Sequence, residues 1–131
     1  MTRAPLFDPR IAPESSAGER DAPATVLILP CPPSANRLWR NNRLSPEYRA
    51  WKQHAGWEAR AQLIGIPTIN GAFTVRIEAP KMRRDLDNSL KPLLDLCQAM
   101  GAIRDDKNAV EIHMHINPDR ETFRVELEGV A

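Results

Sequence analysis

Phe73-Thr74-Val75-Arg76-Ile77-Glu78-Ala79-Pro80-Lys81-Met82-Arg83-Arg84-Asp85-Leu86-Asp87-Asn88-Ser89-Leu90-Lys91 reads as a strand, a charged loop and the first turn of a helix. Phe73, Val75, Ile77 and Ala79 alternate with Thr74, Arg76 and Glu78, the period of a strand with one buried face. Pro80 stops that strand. Past the loop, Leu90, Leu93, Leu94 and Cys97 recur at helical spacing, so a helix is predicted to Met100 with Asp87 or Asn88 as its N-cap. Gly101 is placed as the C-terminal cap. Pro92 lies near the first turn, where a missing N–H costs little.

Upstream, Thr25 to Leu29 is a branched apolar run, predicted to be a buried strand and ended by Pro30, Pro32 and Pro33. The segment from Pro33 to Arg43 reads as a polar, basic loop. Ser45-Pro46 opens a helix, with Ser as N-cap and Pro at the first position. It is expected to run to about Ile64 and to bury Tyr48, Trp51, Ala55, Ala59 and Leu63. Downstream, Val110 to Asn117 and Thr122 to Glu128 are predicted strands. Asn117-Pro118-Asp119-Arg120 is read as the turn that makes them a hairpin. The order β-α-β-α-β-β predicts an α+β fold, a small mixed sheet with two helices packed on one face.

The chain has 131 residues, enough for one domain with a modest core. Residues 1–23 hold Pro5, Pro9, Pro13 and Pro23 among charges and are read as a disordered or loosely attached tail, which leaves 24–131 as the domain. Net charge is +1, but residues 24–84 hold ten Lys/Arg against three Asp/Glu, and residues 85–131 hold five against ten. A basic first half beside an acidic second half fits a polyanion-binding surface around an acidic centre, or simply a dipolar soluble domain. Cys31 and Cys97 form no CxxC motif, so neither a disulfide framework nor a zinc site is predicted. No apolar run reaches the ~20 residues of a membrane span and no signal-peptide core is seen. A cytoplasmic protein without membrane partners is expected.

The chemistry gathers in the charged loop. Asp85 and Asp87 stand at i and i+2 in an extended segment, so their carboxylates point to one side and can reach one cation. Lys91 follows Asp87 by one helical turn and leans back toward it. Arg83 and Arg84 stand beside the acids and can grip phosphate. A second pair, Asp105-Asp106, joins only if the chain from Gly101 to Arg104 runs back along the helix. Carboxylates that hold a divalent metal, next to phosphate-binding cations, point to phosphodiester chemistry. Simpler readings stay open: a helix cap at Asp87-Asn88, a Lys91 paired with Asp87 or Asp95, an ordinary turn at Asp105-Asp106. His113 and His115 alternate on a strand without an evident third ligand. Asp85-Leu86-Asp87-Asn88-Ser89 also mimics the DxDx(T/V) signature of haloacid-dehalogenase-like phosphatases. That signature needs an apolar strand running into its first Asp, and here Lys81-Met82-Arg83-Arg84 intervenes.

Three stretches together resemble the RusA family of Holliday junction resolvases. Pro32-Pro33-Ser34-Ala35-Asn36-Arg37-Leu38-Trp39-Arg40 is similar to its PPSxN segment. Arg84 to Asp95 is similar to its DxDNxxK…D motif, and Gly101 to Asp106 to its G-(x)n-DD segment. The resemblance spans residues 25–128. It implies a homodimeric Mg²⁺- or Mn²⁺-dependent endonuclease that resolves four-way DNA junctions, in a family common on phages and prophages. By motif position it implies Asp85, Asp87 and Asp106 as the essential, metal-holding acids and Lys91 as the essential basic residue, which assists at the phosphate. Asp105, Asn88 and Asp95 also match the motif. Met82 interrupts the family's basic run, which here is Lys81, Arg83 and Arg84.

For DNA contacts the candidates are Asn36, Arg37, Arg40, Arg43, Arg83 and Arg84, with Arg49 and Lys52 as further phosphate partners. Trp39 is read as a core residue. Two opposed nicks on a near two-fold junction need two acidic clusters, and one short chain offers one, which again predicts a C₂ dimer. The competing functions are a non-catalytic DNA-binding module and a nuclease for forks or flaps.

Overall fold

The computed structural model describes residues 24–33, 39–40, 43–82 and 85–130. The tail at 1–23 and the candidates Asn36, Arg37, Arg83 and Arg84 lie outside the described residues. The elements are β1 (Thr25–Leu29), β2 (Trp39–Arg40), β3 (Arg43–Leu44), α1 (Pro46–Gln62), β4 (Phe73–Ala79), α2 (Leu90–Ala99), β5 (Ala109–Ile116) and β6 (Phe123–Gly129). Two 3-10 turns, Leu86–Ser89 and Asp106–Asn108, flank α2 in sequence. The architecture is the α+β class expected: a mixed four-stranded sheet with both helices on one face.

The odd-numbered residues of three strands make the core side of the sheet. Leu27, Leu29, Phe73, Val75, Ile77, Phe123, Val125 and Leu127 are buried there against Tyr48, Trp51, Ala55 and Ala59 of α1 and Leu93, Leu96 and Cys97 of α2. Each large side chain so buried stabilises the fold by roughly 1.5–3 kcal/mol. Ser45 caps α1, its Oγ accepting the Tyr48 N–H at 3.1 Å, and Pro46 fills the first helical position. The Tyr48 and Trp51 rings stack at 5.9 Å, and the Trp51 indole donates to the Pro30 carbonyl at 3.0 Å. Among the described residues no helix is long and apolar enough to cross a membrane.

Three local readings change. The last two strands are not a hairpin. The sheet order is β1-β6-β4-β5, with β6 antiparallel to both β1 and β4, and β5 parallel to β4. The turn at 117–120 does form, with the Arg120 N–H on the Asn117 carbonyl. It carries the chain past the end of β4, where the Asn117 N–H reaches the Ala79 carbonyl at 2.8 Å. The physical reason is the crossover: α2 joins β4 to β5, and a strand–helix–strand connection brings parallel strands together. β6, with Phe123, Val125 and Leu127 all fully buried, then takes the central place that its apolar face requires.

The basic stretch read as a loop also contains a short ribbon, β2 paired with β3, registering Trp39 with Leu44 and Arg40 with Arg43. Finally, neither Asp87 nor Asn88 caps α2. Asp85 takes the N-cap position of the 3-10 turn Leu86–Ser89 and makes no side-chain capping bond. The helix proper starts at Leu90 and ends at Ala99, short of Met100.

Candidate active site

The acidic loop leaves β4 and tightens into the turn Leu86–Ser89 before α2 begins. Asp85 and Asp87 are exposed in this turn and free of capping duty. The turn lies against β5.

The return path of the chain is fixed by backbone bonds. Gly101 adopts a φ of 86°, the left-handed conformation of a helix-ending glycine. The Ala102 N–H then folds back to the Cys97 carbonyl at 2.8 Å. Ile103 makes a parallel bridge with Ile69, framed by Ile69 N–H to Ala102 O at 3.0 Å and Arg104 N–H to Ile69 O at 2.9 Å. Ala102 and Ile103 are buried, which anchors the reversal. The Asp106 N–H next reaches Gln98 Oε1 at 2.9 Å. The segment therefore runs back alongside α2, as the joining of the two acidic pairs requires.

It ends with the Asp106 carboxylate against Lys91. The Lys91 ammonium is 3.4 Å from Asp106 Oδ2 and 3.1 Å from Asp95 Oδ1. Lys91 is 64% exposed and Asp106 19%. The hydrogen bond and charge of Asp95 hold the Lys91 ammonium above its ordinary pKa; burial opposes them, and Asp106 adds a further upward push. Lys91 therefore stays cationic at neutral pH. The two members of the second acidic pair separate in role. Asp105 Oδ1 accepts the Lys107 N–H at 2.9 Å and caps the turn Asp106–Asn108, whereas Asp106 faces Lys91.

Behind the ion pair stands Tyr48. Burial first, and the Asp95 carboxylate second, push its phenol above the ordinary value while the Lys91 ammonium opposes them. Gln98 is a residue that the sequence reading passes over. Its signal was the helical spacing Lys91, Asp95, Gln98, which puts all three on one face of α2.

Asp85 and Asp87 have no hydrogen bond or ion pair to Asp106 among the described residues. Nor is any group of three or more His, Cys, Asp or Glu set to hold a metal ion among them. The donor chemistry of the three acids, carboxylate oxygens alone, nonetheless suits a hard divalent cation. Of the DNA-contact candidates, Arg40 and Arg43 pair through their backbones in the β2–β3 ribbon. His113 lies on the opposite, open face of the sheet, where its Nε2 is 2.8 Å from Glu111 Oε2.

A family model described as endodeoxyribonuclease RusA matches residues 30–128. The crossover junction endodeoxyribonuclease of Enterobacteria phage 82 is 31% identical over 108 residues, covering 77% of this chain and 89% of that relative. The crossover junction endodeoxyribonuclease RusA of Escherichia coli (strain K12) gives the same identity and coverage. That of Aquifex aeolicus (strain VF5) is 34% identical over 71 residues, 52% of this chain and 56% of the relative. The matched region takes in the acidic turn, α2, the Gly101 reversal and Asp106, and on this ground the chain belongs to the endodeoxyribonuclease RusA family.

Proposed function

We propose that this protein is a divalent-metal-dependent endodeoxyribonuclease that resolves four-way DNA junctions by paired, symmetric nicks, acting as a homodimer. One observation carries the reading: the Gly101 reversal brings Asp106 onto Lys91, one helical turn from Asp87, in a chain whose relatives are named for crossover junctions. Asp85, Asp87 and Asp106 are the acids that hold Mg²⁺ or Mn²⁺. When bound, the ion supplies Lewis-acid activation of water and phosphate. Lys91 places a permanent positive charge where the scissile phosphate gains negative charge, and that charge matters most in the transition state. Asp95 orients Lys91 from the next turn of α2, and Gln98 positions Asp106 through its backbone. Asn36, Arg37, Arg40, Arg43, Arg83 and Arg84 contact the DNA backbone, which makes binding salt-dependent and largely indifferent to sequence. Work on intracellular DNA goes with a cytoplasmic location.

The two sheet edges support the dimer. The outer edge of β1 is blocked: Gln62 of α1 donates to the Ile28 carbonyl at 2.8 Å and accepts the Ile28 N–H at 2.7 Å. The outer edge of β5 has no such cover among the described residues. Its core-side row registers with β4, Ile112 beside Val75 and Ile116 beside Ala79, yet Ile112 is 44% and Ile116 48% exposed. An unpaired edge with an apolar row invites a second strand, and a two-fold axis makes the same strip serve both copies.

Purified protein with Mg²⁺ is to be incubated with four-way junction, fork and linear duplex, beside an Asp87→Asn variant. Symmetric nicks confined to the junction, lost in the variant, are expected. Binding without cleavage would point to a non-catalytic DNA-binding module. Preferential cutting of forks or flaps would overturn the junction assignment.

A further inference from the structure

We propose that the outer face of α1 carries a second nucleic-acid subsite, a pocket that stacks one unpaired base and grips the phosphates on either side of it. The proposal rests on the branched-DNA reading above for the source of that base, but not for the chemistry of the pocket.

Trp57 is 71% exposed, whereas Trp51 of the same helix is 8% exposed. Its ring is one wall of a cleft of ≈ 210 Å³ lined by Lys52, Gln53, Gly56, Trp57, Arg60 and Met100. The cleft is smaller than the roughly 300–1,000 Å³ of a site that encloses a whole small-molecule ligand, so it suits a single flat group. A lone exposed hydrophobic side chain needs no explanation. Three further features set this one apart.

Glycine makes the floor. A Cβ at Gly56 would stand 3.3 Å from the Met100 Sδ and 3.5 Å from its Cε, so the absence of a side chain lets the thioether lie against the helix backbone. A polarizable sulfur and an indole face are good partners for an aromatic ring.

Charge makes the sides. Lys52 and Arg60 stand one turn before and one turn after Gly56, on a single row of the helix, and Arg49, Gln53 and Trp57 form the neighbouring row. Neither Lys52 nor Arg60 has an ion-pair partner among the described residues. The acid nearest to Arg60 in sequence, Glu58, lies instead 3.9 Å from His54. A flat aromatic wall between two cations matches a nucleobase between two phosphates. Base–aromatic stacking of this kind accepts any of the four bases.

Position completes the case. Met100 directly follows α2, and Lys91 lies nine residues earlier in that helix. At ~1.5 Å per residue the pocket is roughly 14 Å from the acidic site measured along α2. That is about four phosphate steps of a stacked strand at ~3.4 Å each. A strand held at the acids can thus deliver a nearby unstacked base to Trp57.

The test uses the full chain and a defined probe, a single-stranded 12-mer oligonucleotide with a central 2-aminopurine, whose fluorescence falls on stacking. The same fluorophore is then placed beside the crossover of a four-way junction. Quenching by wild type is expected on both. Trp57→Ala should abolish the quenching and weaken binding of the 12-mer by roughly ten-fold or more. Lys52→Ala with Arg60→Ala should flatten the plot of log affinity against log salt by roughly 1.4, the loss of two single-strand phosphate contacts. Trp57 and Arg60 are exposed and Lys52 is half-buried, and circular dichroism checks that each variant folds.

No quenching by wild type, or variants that quench and bind as wild type does, would overturn the pocket while leaving junction cleavage intact. A Trp57-dependent signal in a protein that fails to nick junctions would keep the pocket and overturn the resolvase reading. A Trp57→Ala chain that binds the 12-mer normally but changes its sedimentation would give this face to a protein contact and overturn the proposal.

Discussion

At the scale of single residues, the site is organised by Lys91. It bridges Asp95 and Asp106, two acids that stand eleven positions apart in the sequence and that the fold brings to one side chain. Because its pKa is raised, the stability it contributes is complete below pH ~10.5 and is lost only as pH climbs through the raised value. The pair is exposed, so Lys91→Met should change stability by less than about 1 kcal/mol. It should slow single-turnover junction nicking by roughly 10²–10³-fold, as loss of a positioned charge does. A variant that nicks normally would remove Lys91 from the chemistry. The cysteines give a check on burial that is independent of function. Cys97 is buried in the core, and burial pushes its thiol up to about 12, while Cys31 is exposed. A thiol reagent at pH 8 should therefore label one cysteine in the native protein and two in denaturant. Labelling of both without unfolding would contradict the packing of α2.

At the scale of elements, the legible parts were those set by local pattern. The alternation in β4 and the Ser45-Pro46 start of α1 could be read directly, since side-chain period and capping are properties of neighbouring residues. Strand pairing was not legible. Asn117 to Arg120 announces a chain reversal but not which strand lies alongside, and the α2 crossover decided that in favour of β4. Part of the candidate site was legible too: Asp85, Asp87 and Lys91 lie within seven residues of one another. The return of Asp106 was not, because it depends on the Gly101 conformation and on the distant bridge between Ile69 and Ile103. Gly101→Ala tests that dependence. An added Cβ would meet nothing closer than Thr68 Oγ1 at 3.9 Å, so the cost is backbone strain and not a clash. About 1–2 kcal/mol should be lost in urea denaturation, with a parallel loss of nicking as Asp106 shifts. An unchanged midpoint would mean that the reversal does not need the left-handed residue.

At the scale of the whole molecule, two asymmetries matter. Among the described residues the sheet is covered by helices on one face only, and of its two edges one is capped by Gln62 while the other has no partner strand. If the open β5 edge forms the proposed dimer, Ile112→Lys, which puts a charge in the exposed row of β5, should turn that dimer into a monomer in sedimentation experiments. Paired nicks should then give way to single, uncoordinated ones. A variant that remains dimeric would move the interface elsewhere. The separation of a basic first half from an acidic second half now has a physical form. α1 carries Arg49, Lys52 and Arg60, whereas Asp85, Asp87, Asp105 and Asp106 stand at the turns that flank α2. All of this depends on Asp106 acting with Asp85 and Asp87 at one metal-assisted site. The most direct measurement is the single-turnover rate of junction nicking by Asp106→Asn at saturating Mg²⁺, with junction binding checked separately in Ca²⁺. The account predicts a rate at least ~10²-fold below wild type with binding retained; nicking at the wild-type rate would contradict it.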